Sequence, residues 1–154
     1  MAVDVEFRYP TGEDIAQLEA NLRRPDQDEV RASAGTLTGA VRASVQHSVW
    51  SLAVIINGEL GCIFGLAPID GLLGSRAAPW MLGTPVIDRH PRVLMGHCRP
   101  YVAHMAACYP HLLNFVDERN TRSKRWLKAM GFTLHPAQPY GAQQCPFHYF
   151  EMRR

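Results

Sequence analysis

Two apolar runs joined by a single dipeptide constrain this chain more than any other feature. Val49–Ile56 is rich in β-branched and aromatic residues, Leu60–Ala67 is apolar again, and Asn57-Gly58 stands between them. A type I′ turn needs φ > 0 at both central residues, and Asn-Gly meets that demand best, so the segment is expected to form a β-hairpin.

The flanking sequence supplies the other elements. Val3, Val5 and Phe7 alternate with polar residues and run into Tyr9-Pro10, which predicts a first strand ended by proline. Thr11, followed by Glu13 and Asp14, predicts a capped helix with Ile15, Leu18 and Leu22 on one stripe. Arg24-Pro25 interrupts, and Asp26-Gln27-Asp28-Glu29 opens a second helical pattern through Val30, Leu37, Val41 and Val45. Gly35 and Gly39 weaken it, so a kink or two short helices are expected between Asp26 and Gln46.

After the hairpin, Ile69–Ala78 reads as a flexible connection bordering a site, and Pro79–Leu82 as a short strand. Leu94, Cys98, Tyr101, Met105 and Cys108 make a buried helical stripe from His90 to Cys108, closed by Tyr109-Pro110. Leu112–Val116 is a strand. Asn120 is expected to cap a helix that turns Trp126, Leu127 and Met130 inward and ends at a left-handed Gly131. Phe132–Leu134 and Phe147–Met152 complete the strands.

At 154 residues the chain is long enough for one core, and one domain over residues 1–154 is expected. Charged residues at 19% and hydrophobic residues at 47% exclude a disordered or fibrous class. A net charge of +2 gives no concentrated basic face, so neither nucleic acid nor a membrane is expected as a partner. Met1–Glu6 has no basic region followed by an apolar run, and no apolar stretch reaches the ~18 residues of a membrane span. Cys62, Cys98, Cys108 and Cys145 are scattered, which favours free thiols. His90, His97, His104 and His111 recur every seven residues without a carboxylate partner, so a solvated stripe is expected and no metal.

The order of elements, with Asn120-Thr-Arg-Ser123-Lys-Arg-Trp126-Leu127-Lys-Ala-Met-Gly131-Phe132, resembles the GCN5-related N-acetyltransferase (GNAT) family. Asp26-x-x-Glu29, Trp80-x-Leu82-Gly-Thr84, Asn114-x-Val116-Asp117 and the Trp126–Phe132 segment further resemble the internal-virion-protein family of short-tailed phages. The first resemblance implies an α+β fold with a central mixed sheet of about six to seven strands and about four helices. It also implies that two parallel strands, Pro79–Leu82 and Leu112–Val116, splay apart to admit the pantetheine arm of acetyl-CoA or CoA. By the same likeness Leu82, Thr84, Arg89, Arg92, Asn120 and Ser123 are the cofactor-binding candidates.

Two departures limit what the likeness implies for activity. The family's glycine-rich phosphate loop corresponds to Arg89–Leu94, where both small positions are lost, and Arg92 either replaces the amide contacts or closes the cradle. The family's tyrosine acid corresponds to Leu127, which leaves Tyr101, Tyr140, Tyr149 or water as donor. Glu29 and Tyr140 are the catalytic candidates. Two functions remain open: a virion-assembly protein with reduced or lost acyl transfer, partnered by phage virion proteins or a host protein, and an active acetyl-CoA-dependent N-acetyltransferase. The phage likeness implies residence in the cytoplasm of a bacterial host or in the virion. Arg119, Arg122, Lys124, Arg125 and Lys128 make the late helix basic, fit for coenzyme A phosphates, an acidic partner or solvent.

Overall fold

The first strand, β1 (Val5–Arg8), pairs antiparallel with β2 (Trp50–Ile56), and β2 turns directly into β3 (Glu59–Pro68). At that turn Asn57 and Gly58 have φ of 50° and 80°, the type I′ geometry the dipeptide predicts. Residues 2–71 and 73–154 are described by this computed structural model, so Leu72, within the expected Ile69–Ala78 connection, lies outside the described residues. The strand β4 (Arg76–Gly83) pairs antiparallel with β3 from Pro68 to Cys62. The connection is therefore shorter than Ile69–Ala78, and it is tied rather than loose, because Arg76 Nε and Nη2 donate to Asp70 at 2.8 and 2.7 Å.

Between β1 and β2 lie α1 (Gly12–Ala20), α2 (Arg24–Ala34) and α3 (Ala40–His47). Thr11 and Asp14 form a reciprocal capping box at the start of α1. The weak point at Gly35 and Gly39 resolves into two helices, since both glycines take positive φ, 86° and 73°. The second helix begins before Asp26, at Arg24, because Pro25 suits the first turn, where its missing N–H costs nothing.

After β4 come the four-residue α4 (Val86–Arg89), α5 (Pro91–Cys108), β5 (His111–Asp117), α6 (Thr121–Ala129), β6 (Thr133–Leu134), β7 (Gln138–Tyr140) and β8 (Cys145–Arg153). One eight-stranded sheet results, in the order β1-β2-β3-β4-β5-β8-β6, with β7 also on β8. It is mixed: β4 and β5 run parallel and the other pairs antiparallel.

Apolar side chains cover both faces. Ile15, Leu18, Val30 and Val41 from α1–α3 pack on Ala53, Ile55, Ile63 and Leu82. On the other face Leu94, Cys98 and Met105 of α5 and Leu127 of α6 pack on Val54, Phe64, Leu112 and Phe150. Burial on this scale, ~25 cal/mol per Å2 of apolar surface, is what holds helices of this length.

Candidate active site

Proline 79 decides where the site opens. Beyond the register pairs Arg76–His111 and Ala77–Leu112, β4 and β5 are no longer paired. The N–H and C=O of one strand residue point the same way, and the Pro79 carbonyl faces β5, where it accepts from Asn114 Nδ2 at 2.9 Å. A donor is therefore missing at the one position where the parallel ladder would continue. The Asn114 side chain takes the carbonyl, its own Oδ1 turns back to the Phe115 N–H at 2.9 Å, and the strands diverge.

The gap is a slot of about 400 Å3 that passes between the strands from one face of the sheet to the other. Glu29, Ser33, Ala40 and Ser44 of α2 and α3 wall one mouth, with Tyr140 across from them. Cys98, Tyr101 and Met105 of α5 and Ser123, Trp126 and Leu127 of α6 wall the other. The first mouth is fixed by β7 and the turn after it, since Ala142 and Gln143 N–H donate to Ser33 and Ala32 carbonyls at 2.9 and 3.1 Å. Gly141 fits there because any Cβ would overlap the Ser33 backbone. Tyr140 is stacked on Phe115 at 3.8 Å and 11°.

Two carboxyl groups, Asp26 and Glu29, line the slot, and Asp117 lies beside Glu29. Glu29 is half-buried and accepts from the Asp117 N–H at 2.7 Å. Burial, helped by the negative charges of Asp26 and Asp117, pushes its carboxyl up to about 8. Against the upward pull of burial, Arg119 holds Asp117 below the usual carboxylate range. Asp26 is buried, and burial raises its carboxyl while Arg23 Nη1 at 2.9 Å, the Gly83 N–H at 2.9 Å and Asn120 Nδ2 at 3.3 Å act against that rise. The Glu29 carboxyl, in the slot wall, is thus poised to exchange a proton near neutral pH.

Of the residues singled out in the sequence, Glu29, Tyr140, Leu82 and Ser123 line the slot. Thr84 does not; it is buried, with its hydroxyl donating to the Leu60 carbonyl at 2.8 Å. Arg89 is exposed and paired with Glu59 at 2.8 Å. Arg92 is exposed and borders a separate shallow depression with Val3 and His97. Asn120 makes no side-chain cap on α6; its amide is drawn instead to Asp26, 94 positions away, and its Oδ1 is buried without a partner among the described residues. The slot meets Ile87 of α4 rather than the start of α5, because α4 stands between β4 and α5. Of the tyrosines proposed as acids, Tyr101 and Tyr140 line the slot, while Tyr149 lies outside it and donates to Glu151 at 3.3 Å.

Sequence reasoning missed Arg23 as a site residue, and Trp126, able to line a slot, was expected to serve the core. Arg23 is fully enclosed, bonded to Asp26 and to both oxygens of Asp88 at 3.2 Å. Trp126 lines the slot with a buried indole N–H that has no partner among the described residues. The signal for the slot itself was present: a proline inside an apolar strand pattern.

No protein-family model matches the sequence, and no curated protein matches it. Solved structures do match in shape. An acetyltransferase of the GNAT family from Bacillus anthracis superposes with a TM-score of 0.70 at 12% identity, covering 99% of this chain and 98% of that one. The aminoglycoside acetyltransferase AAC(6')-Ib in complex with coenzyme A gives 0.68 at 17%, covering 98% and 95%. Spermidine N-acetyltransferase from Vibrio cholerae, in complex with CoA and spermine, gives 0.66 at 8%, covering 97% and 95%. The chain has the GNAT acetyltransferase fold, as its late helix and element order predict.

Proposed function

We propose that the protein transfers an acyl group from a pantetheine thioester, such as acetyl-CoA, to an amine. The observation that carries this is a slot crossing the sheet with Glu29, pushed up to about 8, in its wall. A thioester entering by the α5–α6 mouth meets an amine entering by the α2–α3 mouth between the splayed strands. The chain's own groups then have definite tasks. Glu29, as carboxylate, accepts the proton the amine must lose. The unpartnered Trp126 N–H can donate to the acyl oxygen, and Tyr140 or Tyr101 can return a proton to the departing sulfur. Calorimetry with acetyl-CoA, followed by mass analysis of a mixture of primary amines, tests this: heat of binding and an acetylated amine are expected. Absence of both at millimolar ligand, with carrier-bound and free pantetheine thioesters as with acetyl-CoA, overturns it.

A second reading rests on the likeness to internal virion proteins of short-tailed phages, in which the fold is kept for virion assembly while acyl transfer is reduced or lost. Leu127 in place of the tyrosine acid, and Arg89 and Arg92 standing away from the slot, favour it. Pull-down from phage-infected cells should then recover internal or portal proteins. Recovery of none, together with acetylated host protein, overturns this second reading.

A further inference from the structure

The slot meets the turn from β4 into α4, ahead of the start of α5, and there the backbone amides that could take a phosphate are already occupied. The Gly83 N–H donates to Asp26 Oδ2 at 2.9 Å and its carbonyl accepts from the Arg23 N–H at 2.9 Å. The next amide, Thr84, donates to the Gly61 carbonyl at 2.9 Å. Pro85 has no N–H, and Val86, Ile87 and Asp88 spend theirs on Thr84 Oγ1, the Thr84 carbonyl and the Pro85 carbonyl within α4. Phosphate cradles are built from amides that point outward together. Here they point inward.

Arg23 and Arg122, the cations beside that turn, are occupied as well. Arg23 is locked between Asp26 and Asp88, and Arg122 Nη1 bonds the Asp88 carbonyl at 2.9 Å and lies 3.4 Å from its carboxylate. Two guanidiniums and two carboxylates cancel, so this rim of the slot has no surplus charge for a diphosphate. Surplus positive charge lies one step outward. The helix α6, whose Ser123, Trp126 and Leu127 wall the slot, has no acidic residue and turns Arg125 and Lys128 to solvent.

We infer that the donor is an acyl chain on a phosphopantetheine arm presented by an acidic carrier protein, which docks on the basic outer face of α6 while only the arm enters the slot. The inference rests on the acyl-transfer reading. Charge complementarity commits the partner: an acidic surface next to the arm meets Arg125 and Lys128, whereas a free nucleotide at the slot finds the amides from Gly83 to Asp88 and the guanidiniums of Arg23 and Arg122 taken, with Arg92 standing off at a separate depression. The chemistry balances without a further reagent. The amine nitrogen forms a bond to the acyl carbon, the carbon–sulfur bond breaks, the amine proton passes to Glu29, and the arm leaves as its thiol after taking up one proton.

The test compares binding of three probes by calorimetry: acetyl-CoA, S-acetyl-pantetheine, and an acidic carrier protein acetylated on its phosphopantetheine. Acetyl-CoA is expected to bind no more than about threefold tighter than S-acetyl-pantetheine, and the acetylated carrier at least about tenfold tighter than either. Acetyl-CoA tighter than S-acetyl-pantetheine by about tenfold or more, or a carrier no tighter than the free arm, overturns the inference and leaves the acyl-transfer reading standing. Binding of none of the three overturns both. The variant R125E/K128E should lower the ratio of carrier to pantetheine affinity about tenfold, and an unchanged ratio removes α6 as the docking face.

Discussion

Replacing Glu29 by glutamine keeps an oxygen for the Asp117 N–H, which donates to Glu29 at 2.7 Å, and removes the carboxyl that burial lifts from 4.5 to about 8. Between those two values the folded chain holds a proton on Glu29 that the unfolded chain has released. Stability of the natural protein therefore falls as pH rises through that window and levels off above it. Each pH unit costs about 1.4 kcal/mol, and the whole window about 3 to 5 kcal/mol. Glutamine does not titrate, so the stability of Glu29→Gln relative to the natural protein should climb by that amount between about pH 5 and pH 8 and then stay flat. Urea unfolding at half-unit pH steps measures the difference directly. A difference that stays constant across the window shows that the carboxyl titrates as it would in water, and Glu29 is then no base for the amine. In transfer assays the same variant should lose about a hundredfold in rate, while the natural protein gains rate up to about pH 8 as the carboxylate forms.

Three further outcomes follow from the surrounding structure. Asp26→Ala removes the acceptor of Arg23, Gly83 and Asn120 together, and the buried guanidinium left behind should cost about 3 to 5 kcal/mol in a urea titration. Gly83→Ala places a Cβ against the Ile87 side chain, and the overpacking should cost about 1 to 3 kcal/mol by the same measurement. Glu151 accepts from Arg153, His111 and His135 at 2.9, 2.8 and 2.6 Å, and Arg153 first, then the two histidines, hold it down at about 2. Its contribution is present above the ordinary carboxylate range and is lost as pH falls through about 2. Thermal unfolding of Glu151→Gln should accordingly show a lower Tm than the natural protein at pH 6, with the gap closing toward pH 2.

What was legible in the sequence was whatever depends on neighbours in the chain. Asn57-Gly58 carries its turn geometry in its own dihedral preferences, Thr11 reaches only to Asp14, and Gly131 takes its φ of 102° as a helix stop must. The splay between Pro79–Leu82 and Leu112–Val116 was legible through the family likeness, and a proline in a strand was its local cause. What the sequence did not show has a different origin. Asn120 is a good cap by type, yet a buried carboxylate 94 positions away competes for its amide and wins. Arg89, on α4, is paired with Glu59 at the start of β3, 30 positions off. The short α4 lies between Pro85 and Pro91, too brief for any periodicity to appear, and β7 is three residues with Pro139 in the middle. Glu29 was visible as an acid at a helix start, but its altered proton affinity comes from the depth at which tertiary packing sets it.

The end of the β4–β5 ladder at Pro79 and Asn114 has a consequence for how such a protein can change over generations. The passage is held open by the sheet itself, whereas its two entrances are walled by different segments, α2, α3 and β7 on one side and α5 and α6 on the other. A substitution at Ser33 or Ser44 alters what can enter from one face without touching the walls of the opposite face. If amine and acyl donor enter by opposite faces as proposed, preference for each can drift separately, each mutation judged by one substrate at a time.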